Sequence, residues 1–450
     1  MNLNRLLRAP GAGLLLRPWY DRAAMRALRR WYFPLSRAWA AALAAGKSRE
    51  DFAREVPCAP PPAGLTDSAL AATFRLNRAY ERARREWEDA FFGPARAAPG
   101  RLRDAESARI AAAHALMSAR AHFLPLQAFA NFPPVRFEVA DGDTVRRHHG
   151  ARLAEGRTGF PAPAPLPAFE RSRLLENADS DAFWLRFPSP GRVGDVAWAR
   201  AFLPEGAKPR ATVVLAHGVA METEFWRGLA APYEALSASG ICTIAPEGPF
   251  HGRRRRDGRY GGEDVFSLGV LGLLDYFEAH VAELAALVAW ARAEFGGPVA
   301  LVGISLGAFA AQLAAVACRG WPADMRPDAL LLVAAGGSLL AAAFEGTLAQ
   351  ALGIPTALRT AGWGHEDLVG WLPLLEARGA PALPPERIVA TLGRADDIAP
   401  YAEGRALMRA WDVPEENVFV RDQGHFTASL GLFADDAPLR RLADLLLAAP

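Results

Sequence analysis

Residues 295–318 pass without a formal charge, a run of 24. That length would let one helix cross a bilayer, for which about 20 apolar residues suffice. Gly296-Gly297-Pro298 opens the run, however, and Gly303, Ser305 and Gly307 interrupt its middle. Glycine and proline so placed break a single helix and suit a strand, a tight turn and a second helix. The run therefore predicts a buried strand over 299–303, a sharp corner, and a buried helix over 306–318. A strand with no polar face must be covered on both sides, so it belongs inside a parallel sheet. The corner reads Gly303-Ile-Ser305-Leu-Gly307, a G-x-S-x-G motif. Glycines two residues before and after the serine let neighbouring backbone come close without Cβ clashes. The helix starting behind Ser305 offers free backbone N–H groups to a developing negative charge.

The surrounding pattern extends this reading. Apolar runs at 198–203, 211–216, 241–245, 299–303, 329–334, 387–392 and 417–420 alternate with helical stretches at 223–239, 263–294, 306–318, 401–411 and 438–448. This alternation predicts an α/β fold with a mostly parallel central sheet and helices on both faces. In such sheets, sites form at the carboxyl ends of the strands. Before it, residues 66–92 and 104–123 read as helices, the first capped by Thr66 or Asp67 and stopped at Gly93-Pro94. Pro161, Pro163, Pro165 and Pro167 mark a linker. The chain thus divides into a helical N-terminal extension over 1–170 and a domain over 171–450.

Charge narrows the partners. Lys+Arg total 51 against 49 Asp+Glu, a net of +2, which argues against nucleic acid. Residues 1–50 are the exception, with ten basic and two acidic side chains. There Trp19, Met25, Leu28, Trp31, Tyr32 and Leu35 recur near helical spacing. This basic amphipathic region reads either as a layer packed on the main domain or as a surface for peripheral membrane contact. Its apolar start is too short for a signal-peptide core, so a cytoplasmic location is expected. The three cysteines include no CxxC, and the nine histidines include no HExxH, so neither a metal nor a cofactor is expected.

Three further elements complete a site around Ser305. His217-Gly218-Val219 follows the 211–216 strand, and its turn can aim the Val219 N–H at the serine. With the Leu306 N–H it would form an oxyanion hole. Asp396 and Asp397 follow the 387–392 strand, and His425 follows the last one. A serine hydroxyl needs an adjacent base, and the base a carboxylate to fix its tautomer. The order Ser, Asp, His fits that need on a parallel sheet.

On these motifs, residues 195–450 resemble the α/β-hydrolase superfamily, of the serine esterase and lipase kind. The resemblance implies an α/β-hydrolase fold with Ser305 as nucleophile, His425 as base and an aspartate as its orienter. The family's G-x-x-D-x-x-x-P, here Gly393-Arg-Ala-Asp396-Asp-Ile-Ala-Pro400, selects Asp396. The segment Pro246-Glu247-Gly248-Pro249-Phe250-His251-Gly252-Arg253-Arg254 resembles the dipeptidyl-peptidase and acetyl-esterase branch. It also resembles the abhydrolase-domain-18 group, with the stretch 221–226. About residues 336–385 lie where the family inserts a helical cap, and Phe344, Leu348, Trp363, His365 and Trp371 there can line an acyl pocket. His217, His251 and Trp363 are the candidate substrate contacts. Arg253 to Arg256 read as a solvated basic turn or an anion site. Glu222, Thr223 and Glu224 read as a helix start. The activity implied is hydrolysis of a small-molecule carboxylic ester or acyl substrate through an acyl-enzyme. A peptidase or thioesterase would use the same triad, and a non-catalytic binding protein could keep the fold.

Overall fold

The computed structural model describes residues 12–95, 97–155, 159–176, 181–204, 208–221 and 233–448. The positions Glu222, Thr223, Glu224 and Trp226 lie outside these. A nine-stranded sheet is built from β1 (Glu170–Arg171), β2 (Ala182–Pro188), β3 (Val196–Phe202), β4 (Ala211–Ala216), β5 (Ile241–Pro246), β6 (Val299–Ile304), β7 (Ala329–Val333), β8 (Ile388–Gly393) and β9 (Val418–Arg421). Its order is β1-β2-β3-β5-β4-β6-β7-β8-β9. β1, β2 and β3 join antiparallel, β3 meets β5 antiparallel, and every pair from β5 to β9 is parallel. β4, β7 and β8 are buried along their whole length, as their apolar runs require.

Helices Val270–Phe295 and Leu306–Ala317 cover one face. Ala437–Leu447 covers the other, where Leu439, Leu442 and Leu446 meet Val213, Leu331 and Val389. The uncharged 24-residue run thus resolves into β6 and the helix behind it. Among the described residues no helix is long and apolar enough to cross a membrane. The helix expected over 263–294 is two helices, Glu263–Ser267 and Val270–Phe295. Gly269 parts them at φ 63°, where a Cβ would sit 2.7 Å from Val139 Cγ1.

The N-terminal region is helical. Ala63–Phe92 begins a turn earlier than expected, and Thr66 donates its hydroxyl to Pro62 O instead of capping. The first aromatic stretch divides into Pro18–Ala27, one wide π turn at Leu28–Tyr32, and Phe33–Ala45. Trp39 on the last of these is 1% exposed. Arg37 beside it reaches Glu263 at 3.0 Å, both side chains fully buried, and donates to Gly258 O. Removing one partner of such a pair costs about 3–5 kcal/mol, because a lone charge is left in the core. Between β7 and β8, four helices (Leu339–Phe344, Thr347–Leu352, Ile354–Thr360 and His365–Leu375) form the segment above the strand ends.

Candidate active site

β6 ends at Ile304 and the next helix starts at Leu306, so Ser305 alone turns the corner. Its backbone takes φ 55° and ψ −117°, a left-handed conformation that costs a non-glycine residue about 1–3 kcal/mol. The surroundings impose it. Ser305 N donates to Val333 O at 3.0 Å, and Ala308 N to Ser305 O at 2.9 Å. A Cβ on Gly303 would lie 2.5 Å from Gly307 O, and one on Gly307 would lie 2.2 Å from Ala216 O. The motif's glycines are therefore what lets the helix press against β4 and β6 with the serine held outward.

The Ser305 hydroxyl donates to His425 Nε2 at 2.8 Å, and His425 Nδ1–H donates to Asp396 Oδ2 at 2.8 Å. The other Asp396 oxygen accepts from Ile398 N at 3.0 Å and Ala399 N at 2.9 Å. Those bonds fix the carboxylate, the carboxylate fixes the tautomer, and the Nε2 lone pair is left facing the hydroxyl. Asp397 turns away and accepts from Thr347 Oγ1 at 3.0 Å. Burial pulls the His425 imidazole down, but the charge and hydrogen bond of Asp396 prevail, and its pKa is raised above the ordinary value.

Val219 and Leu306 border the same cavity as Ser305. Gly218 brings their two segments together, since a Cβ there would sit 3.2 Å from Ser305 Cβ. His217 and His251, expected as substrate contacts, lie behind this turn instead of in the cavity. His217 Nε2 accepts from Gly248 N at 3.0 Å and its Nδ1–H donates to Gly218 O at 2.7 Å. His251 Nε2 accepts from Ala220 N at 3.1 Å and its Nδ1–H donates to Pro249 O at 2.8 Å. Both rings are fully committed to backbone and face each other edge-on at 4.9 Å. Burial lowers the pKa of His217 to about 4 and that of His251 well below the ordinary value.

The cavity opens to solvent. Among the described residues lining it, Ser305 carries the one polar side chain, and Phe266, Leu273, Phe309, Phe344 and Leu372 shape the rest. Phe344 and Leu348 line it as expected, whereas Trp363 does not. Trp363 is 4% exposed and donates its indole N–H to Ala140 O at 2.8 Å, tying the cap to the N-terminal region. His365 and Trp371 also stand outside the lining.

The arginine run is largely paired within the protein, with Arg256 at its exposed end. Arg253 pairs with Glu247, and Arg254 with Asp195 and Glu283 in the interior. Arg255 lies over the Trp39 ring, and Arg256 pairs with Asp264. His149, Asp275 and Glu278 lie within 4.8 Å of one another. Arg192 and Arg152 already meet Asp275 and His149 there, so the group is an ion-pair network. The sequence reading missed Asp21, whose carboxylate packs against Gly424, next to His425. Its one signal was isolation, as an acid among ten basic side chains.

A model of the alpha/beta hydrolase family matches residues 213–445. Three solved structures are similar at low identity. TT1662 from Thermus thermophilus is 22% identical, over 57% of this chain and 96% of that one, with a TM-score of 0.38. A cold-adapted esterase from an Arctic intertidal metagenomic library is 18% identical, over 61% and 97%, at 0.40. Acetyl xylan esterase 1 from Thermoanaerobacterium sp. JW/SL YS485 is 15% identical, over 69% and 95%, at 0.43. No curated protein matches the sequence.

Proposed function

The chain belongs to the alpha/beta hydrolase family, and from that premise we propose that it is a serine hydrolase cleaving carboxylic esters of apolar acyl groups. The hydrogen-bonded line Ser305–His425–Asp396, opening into an apolar cavity, carries this reading. Ser305 Oγ attacks the ester carbonyl carbon as its proton passes to His425 Nε2. Asp396 stabilises the imidazolium that forms. The carbonyl oxygen becomes an oxyanion facing the Val219 and Leu306 N–H groups, and one such donor is worth about 2.7–4 kcal/mol in related chemistry. Collapse expels the alkoxide, which takes the proton from His425 Nε2 and leaves as the alcohol. Water then attacks the acyl-enzyme with His425 again as base, and the acid departs as Ser305 regains its proton.

The apolar walls favour an acyl chain over a polar group, since a buried polar atom would find no partner there. A thioester of the same acyl group is the second reading, supported by the same cavity. The test is turnover of p-nitrophenyl esters of rising chain length, and of matched thioesters, by wild type and Ser305→Ala. Activity that rises beyond acetate and vanishes in Ser305→Ala is expected. Equal turnover by the two proteins would overturn the reading.

Peripheral contact with an anionic lipid surface is supported by exposed Leu14, Trp19 and Trp31 beside exposed Arg22, Arg26, Arg29 and Arg30. Wild type should pellet with anionic liposomes more than a Trp19→Ala/Trp31→Ala variant. Equal recovery of both in the supernatant would count against it.

A further inference from the structure

We propose that Asp21 is a positioning residue for His425, which makes the N-terminal helix Pro18–Ala27 a working part of the active site. The inference rests on the reading of Ser305, His425 and Asp396 as the catalytic groups.

Asp21 is the only buried residue of its helix, at 6% exposure. A carboxylate is expensive to bury without partners, and all those of Asp21 flank His425. Its Oδ1 accepts from Phe426 N at 2.7 Å and Thr427 N at 3.1 Å, and its Oδ2 accepts from Thr427 Oγ1 at 2.5 Å. Thr427 Oγ1 in turn accepts from Gly424 N at 2.9 Å. The backbone is thus held on both sides of the histidine.

The helix His425–Leu430 begins here with Gly424 at its cap position. Its first N–H groups need an acceptor, which a local side chain usually supplies and glycine cannot. Asp21 supplies it from the other end of the chain. It also explains the glycine, because a Cβ at 424 would lie 2.4 Å from Asp21 Cγ. Arg17 pairs with Asp422 at 3.2 Å beside this contact. Eleven residues after Asp21, Tyr32 donates its hydroxyl to Ala220 O at 3.2 Å, next to Val219. The N-terminal segment therefore touches both walls of the site.

The charged groups around His425 are Asp396 and Asp397, from the loop after β8, and Asp21. Burial opposes them, and together they hold its pKa above the ordinary value. Replacing Asp21 by asparagine keeps an oxygen for both backbone N–H groups and removes the charge. Replacing it by alanine removes both.

The experiment is kcat and KM against pH, on an apolar p-nitrophenyl ester, for full-length wild type, Asp21→Ala and Asp21→Asn, with Ser305→Ala alongside. Asp21→Ala should lose about 10- to 100-fold in kcat, by analogy with removing the group that orients a metal-bound histidine. Asp21→Asn should regain most of this at high pH, with the acid limb of kcat/KM moved to lower pH. A purely structural role would reduce the folded fraction and leave that limb in place. An acid limb of Asp21→Asn coincident with wild type overturns the inference, and this comparison decides even if Asp21→Ala does not fold. Wild-type kcat in Asp21→Ala also overturns it. Undiminished turnover by Ser305→Ala would instead remove the triad reading, which separates the two failures.

Discussion

Three histidines surround the Ser305 corner, two on the Gly218–Val219 side and one opposite, and all are at most 5% exposed. Burial depresses His217 and His251, while His425 is raised despite the same burial. The partners make the difference. His217 and His251 accept from backbone N–H groups, which stabilise a neutral ring. His425 donates to a carboxylate, which stabilises the charged one. On the proposed reading, one side chain serves as a fixed strut on one wall and as a proton carrier on the other, and neighbouring backbone and carboxylates decide which.

The sharpest break of this comparison is to remove a ring from each side. His425→Ala should lower kcat by about 10⁴-fold or more, as groups acting as a unit fail together. His251→Ala frees the Ala220 N–H but leaves the two proposed oxyanion donors, Val219 and Leu306 N–H, present, so its loss should stop at about 100-fold. Similar losses in steady-state kinetics would erase the distinction. The two aspartates give a second contrast. Asp396→Asn should approach about 10⁴-fold, because the wrong histidine tautomer is favoured. Asp397→Asn should stay within about twofold, as expected away from the reacting groups.

pH separates the two walls more gently. As the proposed base, His425 must be neutral to act, so kcat/KM should fall with acid around a midpoint above about 6.5, the ordinary imidazole value. Asp396→Asn should bring that midpoint down. For stability, His217 takes up a proton less readily folded than unfolded. Its contribution is therefore present above pH of about 6.5 and is lost as pH falls toward its folded value of about 4. His425 has the opposite sign, contributing below about pH 6.5 and losing that contribution as pH rises through its raised value. Thermal unfolding between pH 7 and 4 should show a steeper decline for wild type than for His217→Gln. Parallel curves would contradict this. The smallest change is one of selectivity. Ala343→Trp fills part of the cavity and should shift the preferred ester to shorter chains, with acetate turnover little altered.

From β3 onward the strand-rich half of the molecule was legible because its signals are local, whereas β1 and β2 were not read as strands. β4 to β9 fall within about a residue of their apolar runs, and the Ser305 corner was marked by its two glycines. Asp396 was separable from Asp397 only by resemblance, since both follow the same strand. The misreadings share one cause. His217, His251, Trp363, Arg253, Arg254 and Arg256 have polar groups that suit a ligand, yet backbone carbonyls and buried acids take them up. Some of those partners are close by, as Gly218 is to His217, and others far off, as Trp363 and Ala140 are at a separation of 223, but side-chain chemistry alone marks neither kind. Asp21 and Thr427 are 406 positions apart, beyond any periodicity.

The most direct measurement is to treat wild type and Ser305→Ala with a fluorophosphonate and locate the adduct by peptide mass spectrometry. One adduct, on Ser305, in wild type alone is expected. An adduct on another residue, or equal labelling of Ser305→Ala, would contradict that expectation.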